Sequence, residues 1–146
     1  MTRIVIPFKD LPLLFVQITG QNGKKRELLA TIDPASQDVV IPRIDAFHFG
    51  YDAYADQPGY RAGLPLIPAL GISGMVEVLE FTLPELRVGP LAVKNVTAAV
   101  YDTPYQSGVD VVLGASFLSK LRTTIDFEKG QIVLEDFPQQ PGEKTQ

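Results

Sequence analysis

No stretch of this chain sustains a long amphipathic stripe. Its apolar residues come in short runs, many rich in β-branched side chains, each stopped by glycine, proline or a turn pair. Twelve glycines and twelve prolines in 146 residues supply the stops, which favours short strands and turns over long helices. Residues 4–8 and 13–19 read as strands. Gly20-Gln21-Asn22-Gly23 follows, and Asn-Gly is a strong hairpin-turn signal. Lys24, Lys25 and Arg26 then stand at the tip, read as a solvated loop rather than a binding patch. Residues 27–32 return as a strand ending on Asp33, and 38–41 form another, closed by Pro42.

Ile44, Phe47 and Phe49 suit one side of a single helical turn that stops at Gly50. Residues 50–63 carry no period and read as a surface loop. Residues 64–70 and 75–83 flank Gly71-Ile72-Ser73-Gly74, a hairpin tip. Further short strands fall at 86–88, 91–93, 96–101 and 109–113. The best helix is 116–121, and 123–127 with 131–135 make a last hairpin. The expectation is an all-β domain over 1–135 with one or two short helices, and a disordered tail over 136–146. The run 28–36 and the run 109–116 echo one another, each an apolar strand entering a turn of small residues.

Charge and composition exclude several chemistries. The net charge is −4, which argues against a nucleic-acid surface, since that needs clustered Lys and Arg. There is no cysteine and one histidine, so thiolate and multi-histidine metal sites are excluded and no cofactor is expected. The longest apolar run near the start, 11–16, is too short to span a bilayer, and a cytoplasmic setting is expected. Gly71-Ile72-Ser73-Gly74-Met75 misses the last glycine of a serine-hydrolase elbow. Gly20-Gln21-Asn22-Gly23-Lys24-Lys25 is too short for a P-loop. Asp52 and Asp56 are too few for calcium, and His48 reads as structural or exposed.

Carboxylates remain. Asp33 ends an apolar strand, where desolvation is costly unless something holds the charge. The turn Pro34-Ala35-Ser36 can hold it through backbone N–H groups and the Ser36 hydroxyl. A turn anchor and a catalytic acid are both compatible with that placement.

Ala30-Thr31-Ile32-Asp33-Pro34-Ala35-Ser36-Gln37-Asp38-Val39-Val40-Ile41-Pro42 resembles the active-site stretch of the retropepsin-like aspartic proteases. Asp110-Val111-Val112-Leu113-Gly114-Ala115-Ser116-Phe117-Leu118 resembles their second-half signature, and Thr124-Ile125-Asp126-Phe127 their closing strands. The resemblance implies a closed, mostly antiparallel acid-protease barrel with a flap hairpin at Gly71, Ile72, Ser73 and Gly74. It implies Asp33 as the catalytic residue, with Ala35, Ser36 and the flap binding a peptide or protein substrate. One such motif per chain implies a homodimer that pairs two Asp33 residues, with 3–8 and 131–135 interleaving across the axis. Two residues depart from the family: Pro34 stands where it has Thr or Ser, and Ala35 where it has Gly. A catalytically inactive domain for peptide binding or assembly is therefore the alternative.

Overall fold

A computed structural model describes residues 2–54, 66–71, 74–101 and 109–137, with the backbone alone for 66–71 and 74–77. The strands are β1 (Arg3–Pro7), β2 (Leu13–Thr19), β3 (Lys25–Ile32), β4 (Val39–Ile41), β5 (Leu66–Gly71), β6 (Gly74–Val88), β7 (Leu91–Val100), β8 (Val111–Leu113), β9 (Leu121–Asp126) and β10 (Gln131–Asp136). Two short helices, α1 (Arg43–His48) and α2 (Ala115–Leu118), interrupt them. One sheet runs β2-β3-β8-β4-β7-β6-β5, and β2 also pairs with β6. That pairing closes six of its strands into a barrel, so β5 hangs outside the ring as the partner of β6. This is the all-β acid-protease barrel that the sequence implied.

Strand alternation fills the barrel. Leu14, Val16 and Ile18 of β2 are buried, as are Leu28, Ala30 and Ile32 of β3, while Phe15 between them points out. Each fully buried Leu, Ile or Val contributes roughly 1.5–3 kcal/mol. The two echoing segments lie side by side: β3 and β8 are parallel, with Ala30 opposite Val111 and Ile32 opposite Leu113.

A second sheet, β1-β10-β9, packs Ile132 and Leu134 into the core. β1, expected to interleave with a second copy, pairs with β10 of its own chain, Arg3 opposite Glu135 through Pro7 opposite Gln131. β10 continues to Asp136, one residue past the expected domain limit; the expected tail from 138 onward lies outside the described residues.

Several local expectations are corrected. The breaks expected near Pro84 and Asn95 do not occur, because β6 and β7 run through. The ladder goes from Leu83–Val96 to Glu85–Lys94 and omits only the Pro84–Asn95 position, where proline has no N–H to give and Asn95 takes φ 57°. The helix expected over 116–121 is shorter, because Leu121 already belongs to β9. In α1 the apolar side is not the buried one: Ile44 and Phe47 are exposed, while Asp45 and Ala46 are buried. The start of the expected surface loop is core, since Tyr51 stacks on Phe81 with ring centroids 4.1 Å apart and donates its hydroxyl to the Thr82 carbonyl at 2.6 Å.

The β2–β3 hairpin forms as Asn-Gly predicts, with Gly23 at φ 80°. Its tip is tied to α1: Asn22 Nδ2 donates to the His48 carbonyl at 2.8 Å, and Gln21 Nε2 to that of Gly50. The basic triplet is exposed, as expected of a solvated stretch, although Lys25 and Arg26 already belong to β3. Lys24, Lys25 and Arg26 line a cavity of about 180 Å³ with His48 and Phe49, and Arg26 pairs with Asp45 at 2.8 Å. The Asp45 carboxylate is 5% exposed and the guanidinium 51%.

Burial raises the Asp45 pKa, and the nearby Arg26 charge opposes the rise without cancelling it. A raised folded-state pKa means stability that is complete in acid and lost as pH rises through that value. Arg26→Ala removes the compensating cation. We expect it to cost about 1–3 kcal/mol at neutral pH, the penalty for a buried charged group left unsatisfied. The deficit should shrink in acid, where the carboxyl gains its proton and no longer needs the cation. Urea midpoints at neutral and acid pH measure both effects, and an equal deficit at each would contradict the assignment.

Candidate active site

β3 delivers Asp33 to the surface. Ile32 is buried and Asp33 exposed, so the chain leaves the core within one residue. Three backbone contacts fix the turn. Asp33 N–H donates to the Leu113 carbonyl at 3.0 Å and Ser36 N–H to the Asp33 carbonyl at 3.1 Å. Ala35 N–H donates to Asp33 Oδ1 at 3.0 Å. The expected contact from the Ser36 hydroxyl to Asp33 is absent; that hydroxyl donates to the Asp38 carbonyl at 2.9 Å.

The strand and helix of the second half carry the loop from below. Ala115 N–H donates to the Ser36 carbonyl at 2.7 Å and Ser116 N–H to that of Gln37 at 2.9 Å. The Ser116 hydroxyl accepts from Val39 N–H at 3.0 Å and donates to the Thr97 carbonyl at 2.7 Å. Gly114 makes this approach possible. A Cβ there would stand 2.1 Å from the Asp38 carbonyl oxygen.

One row of residues crosses the sheet on the side to which Asp33 leads. Thr31 faces Val112, Val112 faces Val40, Val40 faces Ala99 and Ala99 faces Glu80. Thr31, Val112, Val40 and Glu80 are half-buried, whereas Ile32, Leu113, Val39, Ala98 and Phe81 in the adjoining rows are buried core. Side chains alternate along a strand, so Thr31 and the residue two further on, Asp33, belong to the half-buried side.

The structure brings Asp33, Ala35 and Ser36 into one turn. It makes Gly71 and Gly74 a cross-strand pair at the end of the β5–β6 hairpin. Ile72 and Ser73 lie outside the described residues. Sequence reasoning missed Gly114 and Ser116 as supports. The echo between the two halves carried a signal for them.

Two aspartates at other strand ends have different employment. Asp126 Oδ1 accepts from Lys129 N–H at 2.9 Å, and Asp136 Oδ1 from Thr2 N–H at 2.7 Å. His48 is exposed, its ring edge-on to Phe47. Among the described residues no group of three His, Asp or Glu could hold a metal ion, and no helix is long and apolar enough to cross a membrane.

A closed β-barrel with an exposed aspartate in a backbone-braced turn and an outlying hairpin is the architecture of an acid protease. The aspartyl protease family matches residues 16–117, most of the chain, and the chain belongs to that family. Its fold is similar to a retropepsin-like aspartic protease from Rickettsia conorii, with a TM-score of 0.61, 18% identity and coverage of 91% of this chain and 90% of that one. It is also 28% identical over 132 residues to the protein transport protein SEC24 of Eremothecium gossypii, covering 90% of this chain but spanning only 13% of that protein's length.

Proposed function

We propose that the domain is an endopeptidase working as a symmetric homodimer that pairs two Asp33 carboxyls. The observation that carries this reading is the exposed, braced Asp33, with no second aspartate in an equivalent turn among the described residues. Two carboxyls about 3 Å apart share one proton, because both cannot ionise at that distance. The ionised one takes a proton from water as the water oxygen attacks the peptide carbonyl carbon. The protonated one donates to the carbonyl oxygen. Collapse of the tetrahedral intermediate breaks the C–N bond, and the amine leaves with a proton. Ala35 and Ser36 would line the substrate from below and Gly71, Ile72, Ser73 and Gly74 from above, where glycines let backbone come close. A cysteine-free chain suits a cytoplasmic setting.

The second reading, a peptide-binding domain without turnover, is favoured by Pro34, which has no N–H with which to brace a partner loop. Dilution separates the two. Cleavage of an unstructured protein, measured per chain, should fall in step with the dimer fraction found by sedimentation. Constant activity per chain well into the monomer range would overturn the shared dyad. Peptide binding with no cleavage at any concentration would establish the second reading.

A further inference from the structure

We propose that the cavity between the β2–β3 turn and the end of α1 binds a compact oxyanion of the phosphate type. It holds about 180 Å³ and is lined by Lys24, Lys25, Arg26, His48 and Phe49. Drug-sized ligands occupy cavities of ~300–1,000 Å³, so this one suits a single small group. Lys25 opens β3 and Asp33 follows its last residue, which sets the two roughly 25 Å apart along the strand. The site is therefore separate from the turn that carries Asp33.

Most of this chain is unfavourable to anions, since its net charge is −4. The cavity is an exception, lined by three consecutive cations and no acid. Lys24 and Lys25 are exposed, and neither has an ion-pair partner among the described residues. Arg26 is paired, but a guanidinium carries five N–H donors. Asp45 Oδ1 accepts from Nη1, and the guanidinium stays half exposed. The carboxylate therefore orients the fork and leaves donors over. The His48 ring brings a further N–H. Ammonium groups act on a phosphate as point charges and a guanidinium as a directed fork. A dianion draws on several of them at once, where a carboxylate has one charge to offer.

The walls are fixed before any ligand arrives. The carbonyls at the end of α1, which would repel an anion, are already occupied. Asn22 Nδ2 donates to that of His48 and Gln21 Nε2 to that of Gly50, and Asn22 N–H reaches that of Phe49 at 3.4 Å. Gly20 permits this approach, because a Cβ there would stand 2.7 Å from Phe49 Cα. Phe49 itself is buried in the core. Turn and helix end thus form one unit, and binding requires little ordering of backbone.

Calorimetric titration of the whole chain with inorganic phosphate, at an ionic strength held constant with chloride, tests the site. Parallel titrations with a short phosphoserine peptide and its unphosphorylated form tell a free anion from a phosphate group carried on a chain. Saturable one-to-one binding of inorganic phosphate is expected if the anion is free, and of the phosphopeptide alone if it is carried. Lys24→Gln combined with Lys25→Gln should weaken that binding at least about tenfold, the loss of one or more charge-assisted bonds. Each lysine changed singly, with a melting curve, guards against misfolding. Lys120→Gln with Lys129→Gln removes the same charge from exposed positions that do not line the cavity, and the affinity should stay nearly unchanged. Asp33→Asn should bind as the parent does, which keeps the result independent of peptide cleavage. Equal weakening by the two lysine pairs would mean general charge attraction and overturn the site. So would equal binding of the unphosphorylated peptide, or no binding of either phosphate source.

Discussion

Asp33→Asn should abolish peptide hydrolysis, by at least about 10³-fold, while shifting the melting temperature by no more than about 2 °C. The two halves of this expectation have separate causes. The turn uses Asp33 as an acceptor: Oδ1 receives the Ala35 N–H at 3.0 Å, and the backbone N–H and carbonyl bond to Leu113 and Ser36. An asparagine side-chain oxygen accepts the same bond, and the backbone is unchanged, so the loop persists. The proposed chemistry uses Asp33 as a base, and an amide cannot take a proton from water. Loss of a positioned general base costs about 10²–10⁴-fold, and in a symmetric dimer both members of the dyad vanish together. Turnover assays with melting curves on the same samples check both halves. If Asp33 served only to anchor the turn, the variant would behave like the parent in both. Cleavage surviving at parent level would therefore remove Asp33 from the chemistry.

The parts of this site that were legible in the sequence are those governed by neighbours along the chain. A carboxylate placed directly after Leu28-Leu29-Ala30-Thr31-Ile32 is an anomaly that must be explained locally, and the small residues after it supply the turn. Asn22-Gly23 predicted its hairpin for the same reason: the turn conformation is set by the residues that occupy it. The misreadings arise where a distant element decides. Pro84 and Asn95 each look like a strand end. In the fold they stand opposite each other, so one omitted rung absorbs both and the strands continue. In α1 the apolar Ile44 and Phe47 point outward while Asp45 is buried against Arg26, a partner from β3. The support of the Asp33 loop by Gly114 and Ser116 depends on β8 lying beside β3 and β4, a register that no local pattern announces.

Gly114→Ala should be a strongly damaging single-methyl change. Its cause is space and not conformation, since Gly114 has φ −100°, open to any residue. An added Cβ would lie 2.1 Å from the Asp38 carbonyl oxygen and 2.6 Å from that of Ser36. Both are backbone atoms, so no side-chain rotation relieves the clash. The loop must retreat, and retreat stretches the bonds from Ala115 N–H and Ser116 N–H that hold it at 2.7 and 2.9 Å. Overpacking costs about 1–3 kcal/mol, and each lost bond about 0.5–1.5 kcal/mol. The sum over the clash and the two bonds, roughly 2–6 kcal/mol, corresponds to a fall in melting temperature of about 5–20 °C. Moving the loop also moves Asp33, and a displacement near 1 Å can cost about 10²-fold in rate. Activity measured well below the melting point should therefore fall even where the variant is folded. Gly89→Ala is the control: it has φ 54° and open space around its Cβ position, so it should cost about 1–2 kcal/mol and leave cleavage unchanged. Equal effects from the two alanines would mean that the glycine after β8 does not set the height of the loop that carries Asp33.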